Sequence, residues 1–284
     1  MNTEPETYLL SPEESARRFA EKIVPRDLAG GIPQERPVLV IAAGQPGAGK
    51  SNAENWARAA LGPGTVKIDA DDMRVHHPAY PQLARANDRT VAMLTHRDAQ
   101  RWTAMAKKYC IANRYNVVFS ATFGNPESAR STIEQFRAAG YRVELAVVAV
   151  DDATSRMGVL SRYQDMRDGK TPGRYVPPEV QQEAYTGLLS TIDLIDGDRL
   201  VDQVHVYQRD GTKRYSNELG ADGDWVRPPD TRRVIEQIRA QPWSAEQTAA
   251  FDDTAKSLAR RLPADLRPDL RAAVARRPGS AFPR

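Results

Sequence analysis

Between an apolar run, PVLVIAAG at residues 37–44, and a helix-forming run, Lys50–Leu61, the chain reads GQPGAGKS. No other stretch restricts the fold as much. The apolar run, short, β-branched and closed by glycine, has the pattern of a strand buried on both faces. The glycines after it let the backbone wrap so that its amides point at phosphate oxygens, and the helix that follows adds the positive end of its dipole. This is the phosphate-binding loop pattern, in the strand-to-helix context that the pattern requires. Gly44, Gln45, Pro46, Gly47, Ala48, Gly49, Lys50 and Ser51 are therefore the candidate ATP cradle. Lys50 is expected at the β- and γ-phosphates, and the Ser51 hydroxyl at Mg2+.

The rest of the chain supplies a sheet for this loop. Residues 65–68, 116–122 and 141–150 read as further buried strands. Helical runs alternate with them: one capped by Ser11 and reaching about Val24, Lys50–Leu61, an uninterrupted stretch free of glycine and proline at 88–113, and Pro126–Ala138. Strands alternating with helices imply an α/β fold, a mainly parallel sheet flanked by helices. Past Asp151 the chain is expected to be helical twice, around an irregular RDGKTPGRYVPPE. A hairpin about RDGT at 204–216 and two more helices, Thr231–Ala240 and 244–261, complete the reading.

With 284 residues, 40% hydrophobic and 27% charged, the chain has the composition of a folded globular protein. We divide it into one domain built around the phosphate-binding loop, at 1–262, and an Arg/Pro-rich tail at 263–284, expected to be partly disordered. A net charge of +3 is too small to argue for nucleic acid. The single cysteine, Cys110, forms no intramolecular disulfide and reads as a small core residue. The chain start lacks the basic and apolar runs of an export signal, and no run approaches the ~18 apolar residues of a membrane span. A cytoplasmic, reducing setting is expected.

The next strand narrows the chemistry. It delivers DADDMR, Asp69 to Arg74, to the carboxyl edge of the sheet, where ligands of such folds bind. Asp71, or Asp69 beside it, is placed to accept the proton of an attacking hydroxyl or to help hold the metal. Asp72 is expected to turn away from the site, and Arg74 to brace the acids or meet a substrate phosphate.

This loop, the D-x-D-x-x-R spacing and the following His77-Pro78 resemble the zeta toxin family, the kinase components of epsilon/zeta toxin–antitoxin systems. The likeness continues through YNVVFSAT, AAGYRVELAVVAV, GVLSRYQDM, GRYVPPE and VYQRDGTKRYS, so it covers residues 11–262. The resemblance implies a P-loop kinase fold, ATP and Mg2+, and phosphorylation of the 3′-hydroxyl of the amino sugar in UDP-N-acetylglucosamine. It makes Asp71 the general base and Arg162 and Arg174 the lid arginines that neutralise charge on the transferring phosphoryl group. Thr122 falls on the family's substrate-contacting threonine. A small antitoxin partner covering the nucleotide site is implied as well.

Two family glutamates are replaced: Ser120 stands at the end of the third strand, and Ala104 on the preceding helix. Neither supplies a carboxylate's paired acceptors for sugar hydroxyls. Gln100, one turn before Ala104, shares its face and is a candidate substitute, with Ser120 itself a candidate contact. Two other functions therefore stay open. One is a kinase for a different acceptor, such as a nucleoside, a polynucleotide end or an antibiotic hydroxyl. The other is a nucleotide-binding interaction protein with weak catalysis.

Overall fold

The computed structural model describes residues 5–278. In chain order, α1 (Pro12–Arg18) runs into a π-helical segment (Phe19–Leu28), followed by β1 (Val38–Ala43), α2 (Lys50–Leu61) and β2 (Val66–Asp69). Four helices come next: α3 (Ala70–Met73), α4 (Tyr80–Ala86), α5 (Val91–Leu94) and α6 (His96–Ala112). Then come β3 (Val117–Ala121), α7 (Pro126–Ala138), β4 (Arg142–Val148), α8 (Asp152–Asp168), α9 (Pro178–Asp198), β5 (Gln203–Tyr207) and β6 (Lys213–Glu218). The chain closes with α10 (Thr231–Ala240), α11 (Ala245–Arg261) and α12 (Arg267–Ala275).

The strands form one six-stranded sheet in the order β2-β3-β1-β4-β5-β6. The first five run parallel, and β6 returns antiparallel beside β5. In β1, Leu39, Ile41 and Ala43 join a core with α6, α7, α9 and α10, whereas Val40 packs with Val118 and Ala146 against α2. Helices thus cover both faces, as buried parallel strands require. Because β1, β2 and β3 are parallel neighbours, their carboxyl ends bring the phosphate-binding loop, Asp69 and Ser120 to one edge. Asp69 and Ser120 are register partners.

Several expectations shift. The first helix passes Val24 because Pro25, which has no N–H to donate, is taken into a widened turn, with the Ala29 amide bonded to the Val24 carbonyl. The stretch expected to be one helix from Asp88 is broken into α5 and α6. The Asp88 carboxylate is drawn away to the end of α8, and the helix restarts only after Thr95, whose hydroxyl bonds the Val91 carbonyl. The tail also differs from expectation. Over residues 263–278 it forms a 3-10 turn and α12, and it buries Leu266, Leu270 and Ala273. Leu266 and Leu270 join Met157, Leu160 and Tyr163 of α8 and Phe251 and Leu258 of α11 in a second core beside the sheet. The prolines begin turns there rather than preventing structure, and the apolar residues between the arginines fall on one helix face. Residues 279–284 of the expected tail lie outside the described residues. No helix among the described residues is long and apolar enough to cross a membrane.

Candidate active site

The loop from Gly44 to Gly49 wraps the start of α2. Gly47 lies at φ +79°, and a Cβ there would sit 2.0 Å from the Ser155 carbonyl of α8, so only glycine lets the loop and α8 approach this closely. Gly49 is the N-cap and has no side chain to bond the first amides of α2. The Asn52 N–H turns back to the Gly49 carbonyl at 3.3 Å, and those of Lys50 and Ser51 are left for a ligand, as in other anion sites at helix N-termini. Gln45 is buried and donates from Nε2 to the Val150 carbonyl at 3.0 Å. The Lys50 ammonium curls back onto the Gly44 carbonyl at 2.8 Å, and Ser51 is exposed in the first turn of α2. Pro46 and Ala48 are buried, which fixes the loop's inner side.

At the end of β2 the acids are organised by cations. Asp69 caps α3, accepting the Asp71 amide on Oδ1 at 2.9 Å. Asp71 accepts Arg74 Nε at 3.1 Å, and the same guanidinium reaches the Ala92 carbonyl and lies 3.5 Å from His96 Nδ1. Lys67 joins Glu54 of α2 (3.2 Å), Asp69 (3.5 Å) and Asp72 (3.0 Å). Asp72 in turn takes Arg174 at 3.1 Å. This corrects the expectation that Asp72 turns away: α3 begins at Ala70, so strand alternation ends at Asp69 and helical geometry aims Asp72 back at the network.

The two acids of D-x-D are driven apart electrically. Burial, with the charges of Asp71 and Asp72, pushes the Asp69 carboxyl above its ordinary value. Burial acts the same way on Asp71, but Arg74, Arg174 and Arg162 outweigh it and hold that carboxyl below its ordinary value. Burial lowers the Lys50 ammonium and Arg162 lowers it further, against the pull of Asp69, Glu54 and Asp71. Burial also lowers the Arg162 guanidinium, which feels Asp71, Arg174 and Asp69. Lys50, Asp69, Asp71, Arg74, Arg162 and Arg174 therefore share one site.

One buried donor in this site has no partner, the Arg162 Nε–H. A buried N–H of this kind normally finds an acceptor. Beside Lys50 and the open amides of α2, it fits an oxygen of a bound phosphate. Among the described residues, no group of three or more His, Cys, Asp or Glu is placed to hold a metal. A divalent ion at the Ser51 hydroxyl would complete its oxygen shell from phosphate and water, as magnesium does at phosphate sites.

The acceptor candidates are less tightly drawn in. Ser120 is buried at the end of β3 next to Asp69, and Thr122 is exposed just beyond it. Gln100 and Ala104 are both exposed on α6, and the hydrogen bonds linking α6 to Arg74 run through His96, not Gln100. Sequence reasoning passed over Lys67 and Glu54. Lys67 lies two residues before Asp69, hence on the same strand face, which is the signal that could have identified it. Arg209, from the β5–β6 turn, was also missed; it donates to the Gly47 carbonyl at 2.8 Å.

The profile described as Zeta toxin matches residues 26–220, more than half of the chain. Toxin zeta of Enterococcus hirae is 24% identical over 184 residues, 64% of this chain and 64% of that protein, so the chain spans just under two thirds of that relative's length. Toxin PezT of Streptococcus pneumoniae serotype 4 is 23% identical over 185 residues, 65% of this chain and 73% of that protein. Among solved structures, one from the PezAT chromosomal toxin–antitoxin system of Streptococcus pneumoniae has a TM-score of 0.74 at 18% identity and covers 92% of this chain and 100% of its own. An AvrRxo1-ORF1:-ORF2 structure with ATP has a TM-score of 0.56 at 15% identity, covering 98% and 89%. At such identities the solved structures establish the fold alone, a mainly parallel α/β sheet flanked by helices. The profile match over residues 26–220 establishes the family: the chain belongs to the zeta toxin family.

Proposed function

We propose that the protein is an ATP-dependent phosphotransferase of the zeta toxin type, moving the γ-phosphate to a sugar hydroxyl of UDP-N-acetylglucosamine or a related nucleotide sugar. The observation that carries this reading is the grouping of Lys50, Arg162 and Arg174 around an ionised Asp71, with the buried Arg162 Nε–H open to an acceptor. Phosphoryl transfer demands little covalent work from a protein; it needs positioning and charge stabilisation where charge develops. Lys50, Arg162 and Arg174 hold the phosphoryl oxygens, and the loop from Gly44 to Ser51 cradles the phosphates of ATP through the amides of Gly47, Gly49, Lys50 and Ser51. Ser51, with Asp71 or Asp69 acting through water, would hold a magnesium ion, which would neutralise charge on the phosphates. Asp71 orients the acceptor hydroxyl and takes its proton as the new O–P bond forms and the bond from the γ-phosphorus to the β-phosphate oxygen breaks, releasing ADP. Held below its ordinary pKa, it is ready as a base throughout the neutral range.

The acceptor is the finer part of the reading. Ser120 and Ala104 offer no carboxylate to the sugar, which favours a second reading, a kinase for another hydroxyl such as that of a nucleoside, a polynucleotide end or an antibiotic. Thr122, Ser120, Gln100 and Arg74 are the side chains assigned to substrate under either reading. A protein partner belongs to the proposal too, because PezAT is described as a toxin–antitoxin system and AvrRxo1-ORF1 as a complex with ORF2. A small antitoxin that covers the nucleotide cradle would silence the enzyme.

The test is ATP turnover with UDP-N-acetylglucosamine, other UDP-sugars, nucleosides and oligonucleotide ends, with mass detection of the phosphorylated product and Lys50→Ala as the blank. Phosphate on a UDP-sugar supports the first reading; phosphate on another acceptor alone moves the protein to the second. ATP binding with no acceptor phosphorylated would instead leave a nucleotide-binding interaction protein.

A further inference from the structure

Arg174 sits in the irregular loop between α8 and α9, residues 169–177, yet its neighbours in sequence are pinned from outside the site. The Gly173 amide donates to Asp88 Oδ2 at 3.0 Å. The same buried carboxylate accepts the Tyr163 hydroxyl at 2.9 Å and Arg167 at 2.8 Å. Gly173 also lies flat against Tyr163, where a Cβ would come within 2.4 Å of the ring. On the other side of Arg174, the Tyr175 hydroxyl donates to Asp269 of α12 at 2.8 Å, and its ring meets Tyr163 edge-on at 5.8 Å. Arg89, next to Asp88, closes the block with a two-bond ion pair to Asp265 in the C-terminal segment. Arg174 itself points the opposite way, to Asp72.

We infer that Asp88 and the C-terminal segment, through Asp269, are the positioning elements for Arg174. They fix the residue before it and the residue after it, so the guanidinium is delivered to the acids from a loop that has no helix or strand to stiffen it. The segment after Leu262 is on this view part of the catalytic unit. The inference rests on the phosphotransferase reading for its effect on rate, but not for its effect on the loop. A misplacement of about 1 Å at such a group can cost on the order of 100-fold in rate.

The experiment uses the full chain with Asp88→Asn, Tyr175→Phe and Asp269→Asn. The last two each alter a single polar group at a half-exposed contact and keep the test intact should the buried Asp88 variant fail to fold. Amide hydrogen exchange in residues 169–177 should accelerate in each. ATP affinity should stay within about twofold, and turnover with the acceptor found above should drop by about 3- to 100-fold in kcat. Combining Tyr175→Phe with Arg174→Ala should be no slower than Arg174→Ala alone, because both act through one guanidinium. Additive losses, or unchanged kcat in a loop that exchanges faster, would overturn the positioning role. Should the wild type phosphorylate nothing, the phosphotransferase reading fails on its own. The latch is then judged by exchange, and a Gly173 amide as fast as free peptide would sink it.

Discussion

Asp69 and Asp71 are two residues apart and carry the same group, yet their surroundings push them in opposite directions. Asp71 faces arginines and stays ionised; Asp69 is half-buried among acids with Lys67 as its cation. Under the proposed function, this separation suits Asp71 to accept a proton and Asp69 to support it. It fixes the pH dependence as well. The folded pKa of Asp71 lies below its unfolded value, so its charge is lost only as pH falls through that depressed value. The acid limb of kcat should therefore lie below the ordinary carboxylate range, and Arg74→Ala should move it upward. Lys67 is the second residue to test. It is the cation that meets Glu54, Asp69 and Asp72 together, and the Glu54 side chain is only 6% exposed. Lys67→Met should cost about 1–3 kcal/mol in urea denaturation, because it strands a buried carboxylate. The acids and Lys50 were legible in the sequence because strand spacing and the glycine pattern are local. The direction of Asp72 was not, since it depends on where β2 stops and α3 starts.

At the scale of elements, β1, α2 and α7 follow from local pattern, with apolar runs bounded by glycine, proline and caps. The elements that departed from expectation did so for tertiary reasons: Pro25 inside a helix, and Asp88 drawn out of one. No periodicity in the sequence announces a carboxylate's distant partners. Element-scale electrostatics can be tested on α9. Asp196 accepts the Thr231 hydroxyl at the start of α10, and burial pushes its carboxyl up to about 6 from 3.8. The folded state therefore holds the proton more tightly than the unfolded chain. The stability that this proton confers is full below about pH 4 and is lost as pH rises through about 6. Asp196→Asn, which can still accept from Thr231, should raise stability at pH 8 by about 1–2 kcal/mol, allowing for partial solvation, and leave it nearly unchanged at pH 4. Thermal melts at the two pH values check this.

The whole molecule is one six-stranded sheet plus a second core, built by α8, α11 and α12, that carries Arg162 and, on the proposal above, steadies Arg174. Arg162 projects from α8, and the loop after α8 presents Arg174. The C-terminal helix therefore couples stability to the site. Leu270, buried in that second core, should cost about 2–4 kcal/mol when changed to alanine, read by denaturation, with ATP affinity retained. Arginine density suggested a solvated tail, and the apolar face between those arginines was too short to signal a helix without its partner α8.

The central claim is that this site transfers phosphate with Asp71 as the base. Its most direct test is single-turnover product formation from ATP and the acceptor, comparing wild type with Asp71→Asn alongside ATP binding by each. The expected result is a fall of about 100-fold or more in the phosphorylated product with ATP affinity kept within a few-fold. Product formation by Asp71→Asn at the wild-type rate would contradict it.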